Sequence, residues 1–193
     1  MIRVGITGVP GAGKTSLARS ITSSCRRRTG LNKIELVSEY ARRYISKHKS
    51  IEFMWEQHRI MQKQLEWENS IPQENTDIII TDSPVPLGFL YAMELQTNNP
   101  KDIMLYNDIF KAMSKLNENF PRYDLIFHLP PVIKPIDDGV RDSTYFDDEW
   151  RKKSDVKIQF LFEIFKPKSF IIIEENDIED RRNKCIEYIM KEI

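Results

Sequence analysis

Cysteine is scarce in this sequence: Cys25 and Cys185 stand far apart, with no Cys-x-x-Cys and no histidine at ligand spacing. That argues against a disulfide framework or a cysteine-based zinc site and fits a reducing compartment. No apolar run approaches the roughly 18 residues of a membrane-spanning helix. The opening MIRVGITG enters a strand pattern at once. It lacks the basic start and longer apolar stretch of a secretory signal, so a soluble, cytoplasmic protein is expected, with no membrane partner. Excess charge of either sign is missing too, since 29 lysines and arginines face 29 aspartates and glutamates. Net charge therefore lends no support to a general polyanion-binding role, although a local basic patch is compatible with it. No internal repeat and no low-complexity linker interrupts the chain.

What remains is ordinary globular material. Of 193 residues, 40% are hydrophobic and 30% charged, which supports a core and favours one domain over 1–193. Short apolar runs alternate with helix-length amphipathic stretches, the pattern of a parallel sheet covered by helices. Strands are predicted at Ile2–Thr7, Lys33–Val37, Asp77–Thr81, Tyr123–Leu129 and Ser169–Glu174. Helices are predicted at Lys14–Arg27, Tyr40–His48, Ile51–Ser70, Ile103–Phe120, Glu149–Phe165 and Ile178–Ile193. The expected fold is a three-layer α/β domain with a five-stranded parallel sheet. Pro130–Asp148 breaks the pattern, being polar, proline-containing and without a period. Long loops in compact domains are usually functional or disordered, so a lid is expected at about 130–150.

Gly8-Val9-Pro10-Gly11-Ala12-Gly13-Lys14-Thr15 matches G-x-x-x-x-G-K-[ST] in full, between a predicted strand and a predicted helix. Glycines permit a tight loop whose N–H groups converge on phosphate oxygens, and the helix adds its positive end. Lys14 can reach the outer phosphates and the Thr15 hydroxyl can coordinate Mg²⁺. The expected cofactors are ATP and Mg²⁺. With Ser16 next in line, Gly8–Thr15 forms the expected nucleotide-binding set, to which Asn176, after the last strand, is added by position.

Asp82 ends the DIIIT strand, where a carboxylate can orient Mg²⁺; a turn or N-cap role before Pro84 is the plain alternative. Glu39 ends the second strand and can bind or deprotonate an acceptor hydroxyl, or simply open a helix. Arg42 or Arg43 can hold an anionic acceptor group, and Gln57, Gln62 or Gln64 a base, though exposed helix faces also carry such residues. In the predicted lid, Arg141 can stabilise charge on a transferring phosphoryl group, with Arg151 a second candidate and a solvated loop arginine the alternative. The Arg26-Arg27-Arg28 run ends a helix and reads as structural. His48, His58 and His128 carry no mark of a base or ligand.

GITGVPGAGKTSLA, VSEYARRYI, IMQKQLEWE, DIIITDSP and DDGVR, in this order over about residues 1–190, resemble the NadR-type nicotinamide riboside kinase domain and its AAA-28 relatives. The resemblance implies a five-stranded parallel sheet, ATP with Mg²⁺, and phosphorylation of a small nucleoside. It places Lys14 and Thr15 on ATP, Asp82 on the metal or acceptor, and Arg141 in the lid. The expected catalytic set is Lys14, Glu39, Asp82 and Arg141, with Glu39, Arg42, Gln64 and Asp82 toward the acceptor. That acceptor is expected to be a small nucleoside or nucleotide. A hydroxyl on DNA or RNA and a non-catalytic nucleotide switch are the alternatives, and a homodimer stays open.

Overall fold

The computed structural model describes residues 1–27, 31, 33–95, 100–118, 121–135 and 147–193. Among them, five apolar runs form one parallel sheet: β1 (Ile2–Gly8), β2 (Ile34–Val37), β3 (Ile78–Asp82), β4 (Leu125–Leu129) and β5 (Ser169–Ile172). Their order is β2-β3-β1-β4-β5, and every neighbouring pair is parallel. IIITD and LIFHL are buried along their whole length, as strands covered on both faces must be. The central position of β1 sets the site. Ile6 lies level with Asp82 on one side and Phe127 on the other, so the loop after β1 emerges beside the ends of β3 and β4.

Alternation along β4 separates the two covering layers. The Phe127 ring lies 6.3 Å from Tyr188 of α7 (Ile178–Glu192), while His128 Nε2 sits 2.9 Å from Asp155 of α6 (Asp148–Phe165). α1 (Lys14–Arg26) packs beside α7 on the first face. α3 (Met54–Asn69), α4 (Leu87–Glu94) and α5 (Pro100–Leu116) join α6 on the second, and α2 (Tyr40–His48) packs on α3. Gly5 faces that second layer. A Cβ there would meet Ile126 Cδ1 at 2.5 Å and Pro84 at 3.2 Å, so glycine lets the turn after β3 lie against the sheet.

The strands and six of the helices follow the sequence reading, with ends shifted by a few residues. α4 does not, because LGFLYAME is apolar nearly all round and offers no period to read; α3 and α5 cover it. Beneath it lies a buried polar link. The Tyr123 hydroxyl donates to Glu68 (2.9 Å) and accepts from Val85 N–H (3.1 Å), while Arg122 binds the same carboxylate. Burial raises the Glu68 carboxyl despite Arg122 and Tyr123, and burial with Glu68 beside it holds the Tyr123 phenol well above its ordinary value. No helix among the described residues is long and apolar enough to cross a membrane.

Candidate functional site

The loop between β1 and α1 uses glycine where the backbone demands it. Gly11 (φ 76°) and Gly13 (φ 94°) occupy the left-handed region, and a Cβ on Gly11 would strike Pro135 at 2.5 Å. Gly13 caps α1 without a side-chain hydrogen bond, and no acidic residue sits in the first turn. The helix therefore presents its N–H end and positive dipole to the loop with no side chain competing for it. Lys14 is 5% exposed and arches back across the loop, its ammonium donating to Gly8 O (2.9 Å) and Val9 O (3.1 Å).

One helix residue later, the Thr15 hydroxyl donates to Asp82 Oδ2 at 2.6 Å. Asp82 is 2% exposed, and its other oxygen, Oδ1, is buried without a hydrogen-bond partner. Burial raises this carboxyl above its ordinary value and Glu39 pushes the same way, while Lys14, Thr15 and Arg42 oppose. Ser83, immediately after, takes φ 63°, and its N–H donates to Ile6 O (3.1 Å). A left-handed serine at a strand end is a strained conformation of the kind that collects at functional turns. No cluster of three or more His, Cys, Asp or Glu suited to a metal occurs among the described residues. A hydroxyl plus one under-used carboxylate instead fits Mg²⁺ held jointly with phosphates, since that ion keeps few protein ligands.

Glu39 sits at the start of α2, beyond the end of β2, with Arg42 Nε 3.8 Å from its Oε2. It borders a solvent-open cleft whose wall also includes Pro10 of the phosphate loop, Gln57, Tyr91 and Glu94. Among the described residues no lysine or arginine lines it directly, although Arg42 approaches Glu39 and Lys157 pairs with Glu94 at 3.3 Å. Gln64 Oε1 accepts from Tyr40 N–H (2.8 Å), an anchor for the start of α2, and its Nε2 is buried without a hydrogen-bond partner.

Of the remaining candidates, Asn176 is exposed on the connection between β5 and α7. Arg141 lies outside the described residues. Arg151 is buried and donates to Ile133 O (2.9 Å) with Asp148 at 3.6 Å, tying the chain after β4 to the start of α6. Arg26 is likewise structural, donating to Ile34 O. Gln57, a candidate from the sequence, does reach the cleft, whereas the contacts of His128 and Arg181 were not singled out by sequence reasoning. Gln57 is 2% exposed on the cleft wall, His128 pairs with Asp155 inside the α6 face, and Arg181 donates to Ala12 O at 2.9 Å. The Ala12–Arg181 contact spans 169 residues, so no local pattern signals it.

A parallel sheet whose central strand leads through a glycine loop into a helix, with a Thr–Asp contact at its mouth, defines the P-loop class. A family model described as an AAA domain, AAA_28, matches residues 3–181, and the chain belongs to that family. Among solved structures, the NadR protein in complex with NR superposes with a TM-score of 0.77 at 21% identity. That match covers 98% of this chain and 51% of NadR, so the present chain spans about half its length. Deoxyadenosine kinase from M. mycoides, with products dCMP and dCDP bound, gives 0.63 at 15% identity over 98% of this chain and 100% of the kinase. The same enzyme with dATP gives 0.62. At these identities the likeness is one of fold: the P-loop, nucleoside-kinase-like α/β fold. No curated protein matches the chain.

Proposed function

We propose that residues 1–193 form one kinase domain that moves the γ-phosphoryl group of ATP to a hydroxyl of a nucleoside. The observation that carries this reading is the 2.6 Å contact between Thr15 and Asp82, whose second oxygen is buried and idle, beside a cleft bordered by Glu39. In it, Gly8–Thr15 and Ser16 hold the donor phosphates, and Asn176 faces the donor base. Lys14 exchanges its two loop carbonyls for phosphate oxygens. Thr15 and Asp82 hold Mg²⁺, which neutralises phosphate charge when bound. The acceptor oxygen forms a bond to the γ-phosphorus as the bond to the bridging oxygen of ADP breaks. Glu39 holds the acceptor hydroxyl and takes its proton. Gln57 and Gln64 offer amide groups to the acceptor, Arg42 steadies Glu39, and Arg141 is assigned to the charge that develops on the phosphoryl group.

The cleft favours a nucleoside over a nucleoside monophosphate. Among the described residues its lining carries two carboxylates, Glu39 and Glu94, and no lysine or arginine, so an acceptor phosphate would meet no direct cationic partner there. A second reading has one observation behind it. α2 (YARRYISKH) contains no acidic residue, and Arg43, Lys47, His48 and Arg59 line a second groove along it with no carboxylate among its described lining residues. That groove suits an acceptor hydroxyl carried on a nucleic acid, with phosphates outside the cleft.

The test is a labelled-ATP screen against nucleosides, nucleoside monophosphates and a single-stranded oligonucleotide. Lys14→Ala is expected to abolish transfer to every acceptor. Glu39→Gln is expected to slow it by about 100- to 10,000-fold with ATP affinity kept. Wild-type turnover in Lys14→Ala, or loss of ATP affinity alone in Glu39→Gln, refutes the assignment.

A further inference from the structure

Arg181 is the least expected charge near the phosphate loop. It lies in the first turns of α7 yet is 1% exposed. Nη1 donates to Ala12 O at 2.9 Å and Nε to Glu175 O, while Nη2 is buried without a hydrogen-bond partner. A Cβ on Gly13 would lie 3.4 Å from Nη1, so the guanidinium backs directly onto the loop. The Glu175 carboxylate is engaged by Lys184 at 2.6 Å. Two backbone carbonyls and the Glu175 charge only partly offset the burial of this guanidinium, so a further anion nearby would be favourable.

We infer that Arg181 is a positioning residue for the donor phosphates, holding the Ala12 carbonyl behind the loop and tying the loop to the connection after β5; this rests on the phosphate reading of Gly8–Thr15. In a trans peptide the C=O and the following N–H point to opposite sides. With Ala12 O drawn toward Arg181, the Gly13 N–H faces the other side of the loop, where phosphate donors are needed. The same guanidinium holds Glu175, next to Asn176, so the phosphate end and the base end of the donor site share one anchor. A triphosphate on the loop would add a second opposite charge to that of the Glu175 carboxylate, which already favours the guanidinium.

Calorimetry with two probes, ATP–Mg²⁺ and inorganic tripolyphosphate–Mg²⁺, tests this on the full chain. Arg181→Met is expected to weaken both by about tenfold to a hundredfold, the range for a charge-assisted hydrogen bond. Arg181→Lys keeps the charge but not the fork, and is expected to lose less, about threefold or more. Arg182→Met removes the neighbouring charge, which contacts Asn183 and Glu179 rather than the loop, and is expected to bind as wild type. Wild-type affinity in either Arg181 variant, loss confined to ATP, or equal loss in Arg182→Met overturns the inference. Should Arg181→Met fail to melt cooperatively, Arg181→Lys decides. Wild-type protein that binds neither probe overturns the phosphate reading itself, a result distinct from binding that Arg181 does not affect.

Discussion

The two oxygens of Asp82 have different surroundings: one accepts from Thr15 and the other is buried without a partner. Because burial and Glu39 raise this carboxyl, the folded chain holds its proton more tightly than the unfolded chain does. Its contribution to stability is then greatest below the ordinary carboxylate pKa and is lost as pH rises through the raised value. Metal-free Asp82→Asn is expected to melt above wild type at neutral pH, by about 2–4 °C per kcal/mol of relieved charge. The gap should open from about pH 4 upward, and transfer should fall at least about 100-fold. Melting curves from pH 4 to 8 without metal check it, and a gap independent of pH contradicts it. At this scale the phosphate loop was legible, because motif spacing fixes which backbone groups meet. Gln57 was legible only as one of three glutamines that packing had to choose between. Arg181 was not legible, because its neighbours come from other elements. Neither were Gln64's bond to Tyr40 N–H and Arg151's bond to Ile133 O, since a side chain's partner depends on packing.

Among the elements, regular amphipathic helices and β-branched strands declared themselves by period, as at Met54–Asn69 and Ile78–Asp82. α4 stayed hidden because burial on most sides erases periodicity, and residues 136–146, the heart of the expected lid, lie outside the described chain. The turn leading into α4 is held by backbone bonds and, through Val85 N–H, by one phenol. Tyr123→Phe removes the acceptor of Val85 N–H and one donor to buried Glu68. It is expected to lower unfolding free energy by about 1–3 kcal/mol in urea titration. Loss of this hydroxyl should also loosen the segment that follows Asp82, so amide exchange at Val85 should quicken. Unchanged stability contradicts the link.

For the whole molecule, alternation of strand and helix identified the class, while the order β2-β3-β1-β4-β5 came only from pairing. That order puts the loop on the central strand, between the ends of β3 and β4. A ligand gripped there stabilises the entire sheet. ATP with Mg²⁺ at a hundredfold excess over its dissociation constant is expected to add about 2.7 kcal/mol. For a chain of this size that is about 5–10 °C in melting temperature. Lys14→Ala should show little of that rise, and an equal rise in both proteins would place the nucleotide elsewhere.

Gly5 has an unstrained backbone, and only space forbids a side chain there: Ile126 Cδ1 already occupies the position a methyl would take, with Pro84 close behind. Drift at these sites is therefore conditional. Residue 5 can acquire a carbon only in a lineage whose residue 126 has given one up, so the two are expected to vary as a couple, far apart in the gene and inseparable in the fold.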